Sequence, residues 1–187
     1  MLKYCSECGQ TLRMATHAAG HGYCERCQQE RWDHPSVMLT CFISCGQKLL
    51  WIQRKLEPRS GFWAIPGGFM EAGETMAEGA ARELWEEAGV RLDPEQLDFY
   101  MTGTITFINQ VYVAFRAAVD EEVCLAGDEA LAVEFFSRDQ CPWDEVAYPE
   151  VNDSIREAYD DLERGVFLQY QGEMTEEIYR LTPIQTR

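Results

Sequence analysis

Beyond Pro35 the apolar residues come in short dense runs separated by turn residues. Residues 37–44, VMLTCFIS, predict a buried strand; CGQ at 45–47 is a turn, and KLLWIQ at 48–53 is the returning strand of a hairpin. Gly61, Phe62, Trp63, Ala64 and Ile65 predict a short strand leading into Pro66-Gly67-Gly68. Farther on, 97–108 and 110–118 predict two strands joined at Asn109. In the second, Val111, Val113 and Phe115 alternate with Tyr112, Ala114 and Arg116, as expected for a sheet with two different faces. After a loop opening at Gly127-Asp128-Glu129, residues 132–136 predict one more short strand.

Two stretches follow the helical period instead. Thr75 with Glu78 three residues on is a capping-box signal, and Gly89 with Pro94 beyond it is a stop, so a helix is expected from 76 to 88. Ala77, Ala80, Ala81, Leu84 and Ala88 share one narrow face of it, small enough to lie close against a sheet. Residues 149–164 predict a second helix with the stripe Val151, Ile155, Ala158, Tyr159 and Leu162, ended by Gly165. Strands with a helix for each face give an α/β fold, an α/β/α sandwich on a mixed sheet. The tail FLQYQGEMTEEIYRLTPIQTR has scattered apolar residues that predict packing across the domain or a partner.

The length of 187 residues suits one medium domain with a small appendage. No run approaches the ~20 apolar residues of a membrane span, and MLKYCSECGQ lacks the apolar region of a secretion signal, so a cytoplasmic protein is expected. The formal charge of −16 opposes a phosphate backbone and argues against nucleic acid as a partner. Small phosphorylated substrates remain compatible with it if cations receive them.

Of eight cysteines, Cys5, Cys8, Cys24 and Cys27 form C-x2-C-x15-C-x2-C. Two such knuckles suit a tetrahedral Zn²⁺ site, and a segment this short needs a staple in place of a core. The alternative is a pair of disulfides, natural in a secreted domain. The expected organisation is a small four-cysteine zinc ribbon at 1–34 and a second domain at 35–187. Charges in the ribbon balance, with Lys3, Arg13, Arg26 and Arg31 against Glu7, Glu25, Glu30 and Asp33, which argues against an RNA-reading adaptor. Cys41, Cys45, Cys124 and Cys141 read as core or near-surface residues, and His17, His21 and His34 as surface residues.

The first helix places Glu83, Glu86 and Glu87 on the side away from its alanines, within an arc of roughly 100°. Two such charges about 6 Å apart repel by roughly 3 kcal/mol at an effective dielectric near 20, so the patch does nothing for stability. A hard divalent cation, Mg²⁺ or Mn²⁺, would reverse that sign. A solvated acidic face is the plain alternative. Against it stand Gly67 and Gly68, which let backbone approach a ligand, and Arg82, placed to hold a neighbouring carboxylate. Arg54 is a candidate phosphate contact, while Lys55 and Arg59 read as solvated loop charges. Trp63 is a candidate for stacking on a base, a core position being the alternative.

Residues 68–90 resemble the Nudix box, G-x5-E-x7-R-E-U-x-E-E-x-G-U with U aliphatic. Gly68, Glu74, Arg82, Glu83, Leu84, Glu86, Glu87, Gly89 and Val90 match it at all nine defined positions. The order of zinc ribbon, linker, Nudix domain, late helix and a tail with Phe167-Leu168-Gln169-Tyr170 resembles a subgroup acting on ADP-ribose and FAD. NADH pyrophosphatases share the ribbon but add an N-terminal domain and a SQPWPFPxS signature, neither of which is read here. The resemblance implies that Glu83, Glu86 and Glu87 ligate the catalytic Mg²⁺ or Mn²⁺ and that Arg82 orients the cluster. Glu74 would tie loop to helix or assist the attacking water. Glu129, opening EALAVEFF, matches the start of E-x-L-x-x-x-[WFL]-F, which supplies one more metal ligand in zinc-ribbon members.

The implied reaction is attack of water on one phosphorus of a diphosphate bridge, a glutamate of the box or of the Glu129 loop taking its proton. FAD would give FMN and AMP; ADP-ribose would give ribose 5-phosphate and AMP. The Zn²⁺ would be structural, because four thiolates leave no open position. NADH or NAD as substrate, and a nucleotide-sensing regulator without catalysis, are the alternatives. The resemblance also implies a homodimer.

Overall fold

The computed structural model describes residues 3–14 and 20–184. The chain divides into two compact units, Met1–Pro35 and Ser36–Arg187. In the first, three short strands, β1 (Arg13–Met14), β2 (His21–Cys24) and β3 (Gln29–Trp32), pair antiparallel in that order. Among its described residues the buried apolar set is Cys5, Leu12 and Cys24, too small to hold a fold by burial alone.

The second unit is built on β4 (Ser36–Cys45), β5 (Lys48–Arg54), β6 (Trp63–Ala64), β7 (Gly67–Phe69), β8 (Asp98–Ile105), β9 (Gln110–Ala118), β10 (Ala130–Ser137), β11 (Tyr170–Met174) and β12 (Tyr179–Pro183). They form one mixed sheet in the order β10-β5-β4-β9-β8-β11-β12, with β6 on β5 and β7 on β4. The β4–β9 and β8–β11 pairs are parallel and the others antiparallel. Two helices, α1 (Met76–Ala88) and α2 (Asn152–Arg164), complete the unit. Among the described residues no helix is long and apolar enough to cross a membrane.

Strand alternation sorts the core into two layers. Leu39, Cys41 and Ile43 of β4, Leu50 and Ile52 of β5, and Val113 and Phe115 of β9 pack with Ala80, Leu84 and Ala88 of α1. Their neighbours Phe42, Leu49, Trp51 and Ala114 pack with Ile155, Ala158, Tyr159 and Leu162 of α2. A register shift between Phe99 and Met101 puts Tyr100 and Met101 in the same α2 layer, while Phe99 packs toward α1. The result is the α/β/α sandwich expected from the periodicity.

Several boundaries move. The second helix begins at Asn152, because Pro149 opens a separate 3-10 turn over Pro149–Val151. The strand expected over 97–108 stops at Ile105, and a 3-10 turn over Thr106–Ile108 ends in left-handed Asn109. The last expected strand lengthens from 132–136 to Ala130–Ser137.

The tail does more than pack across the domain: it adds β11 and β12 to the sheet. Burial in β11 alternates, with Tyr170, Gly172 and Met174 toward the core. Glycine is required where β11 meets β8, since a Cβ at Gly172 would lie 1.8 Å from the Tyr112 hydroxyl and one at its partner Gly103 would lie 2.3 Å from the Gly172 carbonyl. The strand is also tied to α2 through Asp161, which is wholly buried. The Tyr100 hydroxyl donates to Asp161 Oδ2 at 2.9 Å, Tyr170 to Oδ1 at 3.0 Å, and Arg164 Nη2 donates to Oδ1 at 2.7 Å. Burial and the neighbouring carboxylate push both tyrosine phenols well above their usual range. Substituting Gly172→Ala should lower stability by about 1–3 kcal/mol through overpacking against Tyr112. The denaturant midpoint measures this; an unchanged midpoint would show that β11 shifts freely.

Candidate functional site

The site forms where the glycine loop passes between β4 and α1. The capping box is present: Thr75 Oγ1 accepts from the Glu78 N–H at 3.2 Å, and Glu78 Oε2 accepts from the Thr75 N–H at 2.8 Å. The helix ends in left-handed Gly89, whose N–H donates to the Trp85 carbonyl. Upstream, Gly67 and Gly68 lie in β7 against Thr40 and Leu39 of β4. A Cβ at Gly67 would lie 2.1 Å from the Leu39 carbonyl oxygen, and one at Gly68 would lie 2.4 Å from the Glu83 carboxylate. Close approach of backbone to β4 on one side and to a helix carboxylate on the other is why both positions are glycine.

Arg82 holds the assembly together. Nε and Nη2 donate to the two oxygens of Glu74 at 3.0 and 2.9 Å, a bidentate pair, and Nη2 also donates to the Phe69 carbonyl at 3.1 Å. Nη1 donates to Glu83 at 2.8 Å and to Glu86 at 3.1 Å. All five guanidinium N–H groups thereby have acceptors. Glu74 in turn accepts from the Glu71 N–H at 2.6 Å, so loop, helix and acidic patch share one cation.

Glu87 lies apart from Arg82. Its Oε2 accepts from the Gly67 N–H at 2.7 Å, and it is only 6% exposed. Burial pushes its pKa up to about 7, against the opposing pull of the Gly67 hydrogen bond, with the charges of Glu83 and Glu129 adding to the rise. Glu83 is also raised, chiefly by burial, with Arg82 opposing. Glu74 goes the other way, to about 2, because Arg82 bonds its charged form. Glu129 reaches the same field through backbone: the Gly127 N–H donates to the Glu87 carbonyl at 3.0 Å, and the Lys55 N–H to the Glu129 carbonyl at 3.0 Å. Carboxylates under mutual repulsion and desolvation have the chemistry of a hard divalent-cation site.

These carboxylates do not converge on one point. Among the described residues only the four ribbon cysteines bring three or more ligand atoms within 4.8 Å of one another. Glu83 and Glu86 are turned to Arg82, and Glu87 to the Gly67 amide.

The comparisons agree with this geometry. The profile of the NUDIX domain matches residues 32–162. The chain belongs to the Nudix family. An ADP-ribose pyrophosphatase from Methanocaldococcus jannaschii is 34% identical over 116 residues, 58% of this chain and 66% of that protein. Phosphatase NudJ of Escherichia coli is 38% identical over 91 residues, 48% of this chain and 58% of that protein. The chain thus spans less than two thirds of the length of either relative. The crystal structure of a NUDIX hydrolase from Nitrosomonas europaea has a TM-score of 0.83 at 30% identity, covering 94% of this chain and all of that one.

The remaining candidates fall on both sides of the Nudix site. Arg54 is half-buried, and its charge is close enough to favour ionised Glu87. Trp63 is corrected: it is 9% exposed, its ring packed edge-on against Phe136 at 5.0 Å, so it is a core residue and offers no face for stacking. The signal for this was its place between apolar neighbours in a short strand. Lys55 Nζ donates to the Asp128 carbonyl at 2.9 Å, and Arg59 lies over the Phe62 ring at 5.8 Å, so neither is a bare loop charge. The clamp from Leu125 and Gly127 onto the end of α1 was not legible, since only backbone carries it: the Leu125 N–H donates to the Ala88 carbonyl at 2.9 Å.

In the ribbon, Sγ of Cys5 and Cys27 are 3.9 Å apart and those of Cys8 and Cys24 are 3.6 Å apart. Tetrahedral thiolates at about 2.3 Å from Zn²⁺ stand about 3.8 Å apart, whereas a disulfide needs about 2.0 Å. Arg31 Nε donates to Cys5 Sγ at 3.4 Å and favours its thiolate. His21 stacks on Trp32 at 3.9 Å, His34 is exposed, and His17 lies outside the described residues.

Two outcomes follow from these environments. Glu87 folds with a raised pKa, so the native state binds the extra proton between about pH 4.5 and 7 and stability falls as pH rises through that window. In chelator, Glu87→Gln should flatten this slope and raise stability at about pH 8 by about 2–3 kcal/mol. Melts across pH check it, and an unchanged slope would assign the effect elsewhere. Cys24→Ser should lose bound zinc and unfold the ribbon at lower temperature; full zinc content with native melting would refute a metal staple.

Proposed function

We propose that this chain hydrolyses the diphosphate bridge of a nucleoside diphosphate-X, with FAD or ADP-ribose favoured and AMP as one product. The observation that carries the reading is the complete carboxylate array, Glu74, Glu83 and Glu86 held by Arg82 and Glu87 by the Gly67 amide, in a Nudix chain. The named activity of the Methanocaldococcus jannaschii relative supports ADP-ribose as a substrate. Glu83, Glu86, Glu87 and Glu129 would hold Mg²⁺ or Mn²⁺, and Cys5, Cys8, Cys24 and Cys27 a structural Zn²⁺. A divalent cation bound there would supply positive charge to neutralise phosphate oxygens and the departing phosphate.

The chain's own groups do the rest. Arg82 holds Glu83 and Glu86 on α1, Glu74 fixes Arg82 to the loop, and Gly67 and Gly68 let that loop lie against β4 and the Glu83 carboxylate. Arg54, whose charge acts on Glu87, would meet a diphosphate oxygen. One of the carboxylates takes the proton of the attacking water as the bridging P–O bond breaks.

Product chromatography with Mg²⁺ and, separately, FAD, ADP-ribose and NADH tests this. AMP should appear fastest from FAD or ADP-ribose, and Glu87→Gln should slow its release by roughly 100-fold or more. Absence of AMP from all three, or native turnover by Glu87→Gln, would refute the proposal.

A further inference from the structure

Arg54 stands between the acidic array and an exposed aromatic ring. It ends β5 opposite Ala130, next to the backbone bond from Lys55 to Glu129. Its Nε and Nη2 donate to the Pro58 carbonyl at 3.3 and 3.2 Å, which anchors one edge of the guanidinium. Nη1 makes no hydrogen bond among the described residues, and the charge acts on Glu87. The guanidinium carbon lies 5.6 Å from the centroid of the Tyr148 ring.

Tyr148 is held in place by backbone rather than by its own side chain. The Ala147 N–H donates to the Trp63 carbonyl at 2.8 Å, Val146 bridges Trp63 in parallel, and the Val151 N–H donates to the Tyr148 carbonyl at 3.0 Å. The ring is 36% exposed, as is that of Phe62, whose carbonyl accepts from the Arg54 N–H at 2.9 Å. A nucleoside diphosphate has the matching order of charge and shape: an anionic bridge, then a sugar, then a flat π-system. The site offers carboxylates for a cation, a free guanidinium edge, and then an exposed ring on an anchored backbone.

We infer that Tyr148, beside Arg54, is the stacking platform for the planar ring system of the substrate and a determinant of its specificity. The inference rests on the diphosphate-hydrolase reading for what sits beside the ring, though not for the ring's own binding role. A surface cation–π pair with only a structural role would leave ligand affinity unchanged. Stacking therefore makes a prediction that structure alone does not.

Calorimetric titration of AMP and of inorganic pyrophosphate, both with Mg²⁺, separates the cases. Tyr148→Leu should weaken AMP by about 10- to 100-fold, Tyr148→Phe by no more than about threefold, and pyrophosphate should be unaffected by either. In turnover, KM for ADP-ribose should rise with the loss of AMP affinity while kcat stays within about threefold. If Tyr148→Leu lacks the native melting transition, Tyr148→Thr, which also lacks a ring, is read in its place. AMP affinity equal to wild type in the ringless variant, equal loss of AMP and pyrophosphate, or no AMP binding by wild type would each overturn the inference. Ring-dependent AMP binding without AMP release from any diphosphate would instead refute the hydrolase reading and leave the platform standing.

Discussion

The five hydrogen bonds of Arg82 are the constraint on which the site depends. Without them Glu74 would lose its tie to α1, Glu83 and Glu86 would repel across one helix face, and the loop after Gly68 would lose its link to α1 through the Phe69 carbonyl. A guanidinium suits this place because its planar fork can serve two carboxylate oxygens of Glu74 side by side and still reach three acceptors beyond. The pair with Glu74 is largely out of solvent, so screening weakens it little.

Charge and fold are in tension at Glu87. Its carboxylate is buried beside two other acids, with one backbone amide as its hydrogen-bond partner, an arrangement that opposes ionisation at neutral pH. A fold selected for stability alone would place an apolar residue there. The sheet makes the position tolerable: α1 lies on β4 through alanines and Leu84, and the clamp at Leu125 and Gly127 holds the helix end against the strain.

The far layer of the sandwich serves the site indirectly. Asp161 joins α2, β8 and β11, so the helix that backs the sheet and the added hairpin are tied through one buried carboxylate. Trp63 belongs to that layer, and its backbone places Ala147 and Tyr148 at the rim of the site. A residue read as a ligand contact thus turns out to act through its carbonyl group, and the exposed aromatic is one that comes much later in the chain.

What the sequence by itself determined was whatever depends on near neighbours. The capping box at Thr75, the alanine face of α1, the period-2 runs of β4, β5 and β9, and the cysteine spacing are all local, and local sterics and burial decide them. Helical spacing grouped Glu83, Glu86 and Glu87 on one side, but the fold separates them: Glu86 is exposed beside Arg82, whereas Glu87 is buried against the Gly67 amide. Tertiary structure alone decided which residues meet across long loops: Arg54 with Tyr148, Leu125 with the end of α1, and the tail with β8. In β11 the alternation of Tyr170, Gly172 and Met174 was present but only three residues deep, too short to outweigh the polar residues around it. Its pairing depends on the fit of two glycines around Tyr112, a contact between chain segments far apart, and no local pattern can encode such a fit.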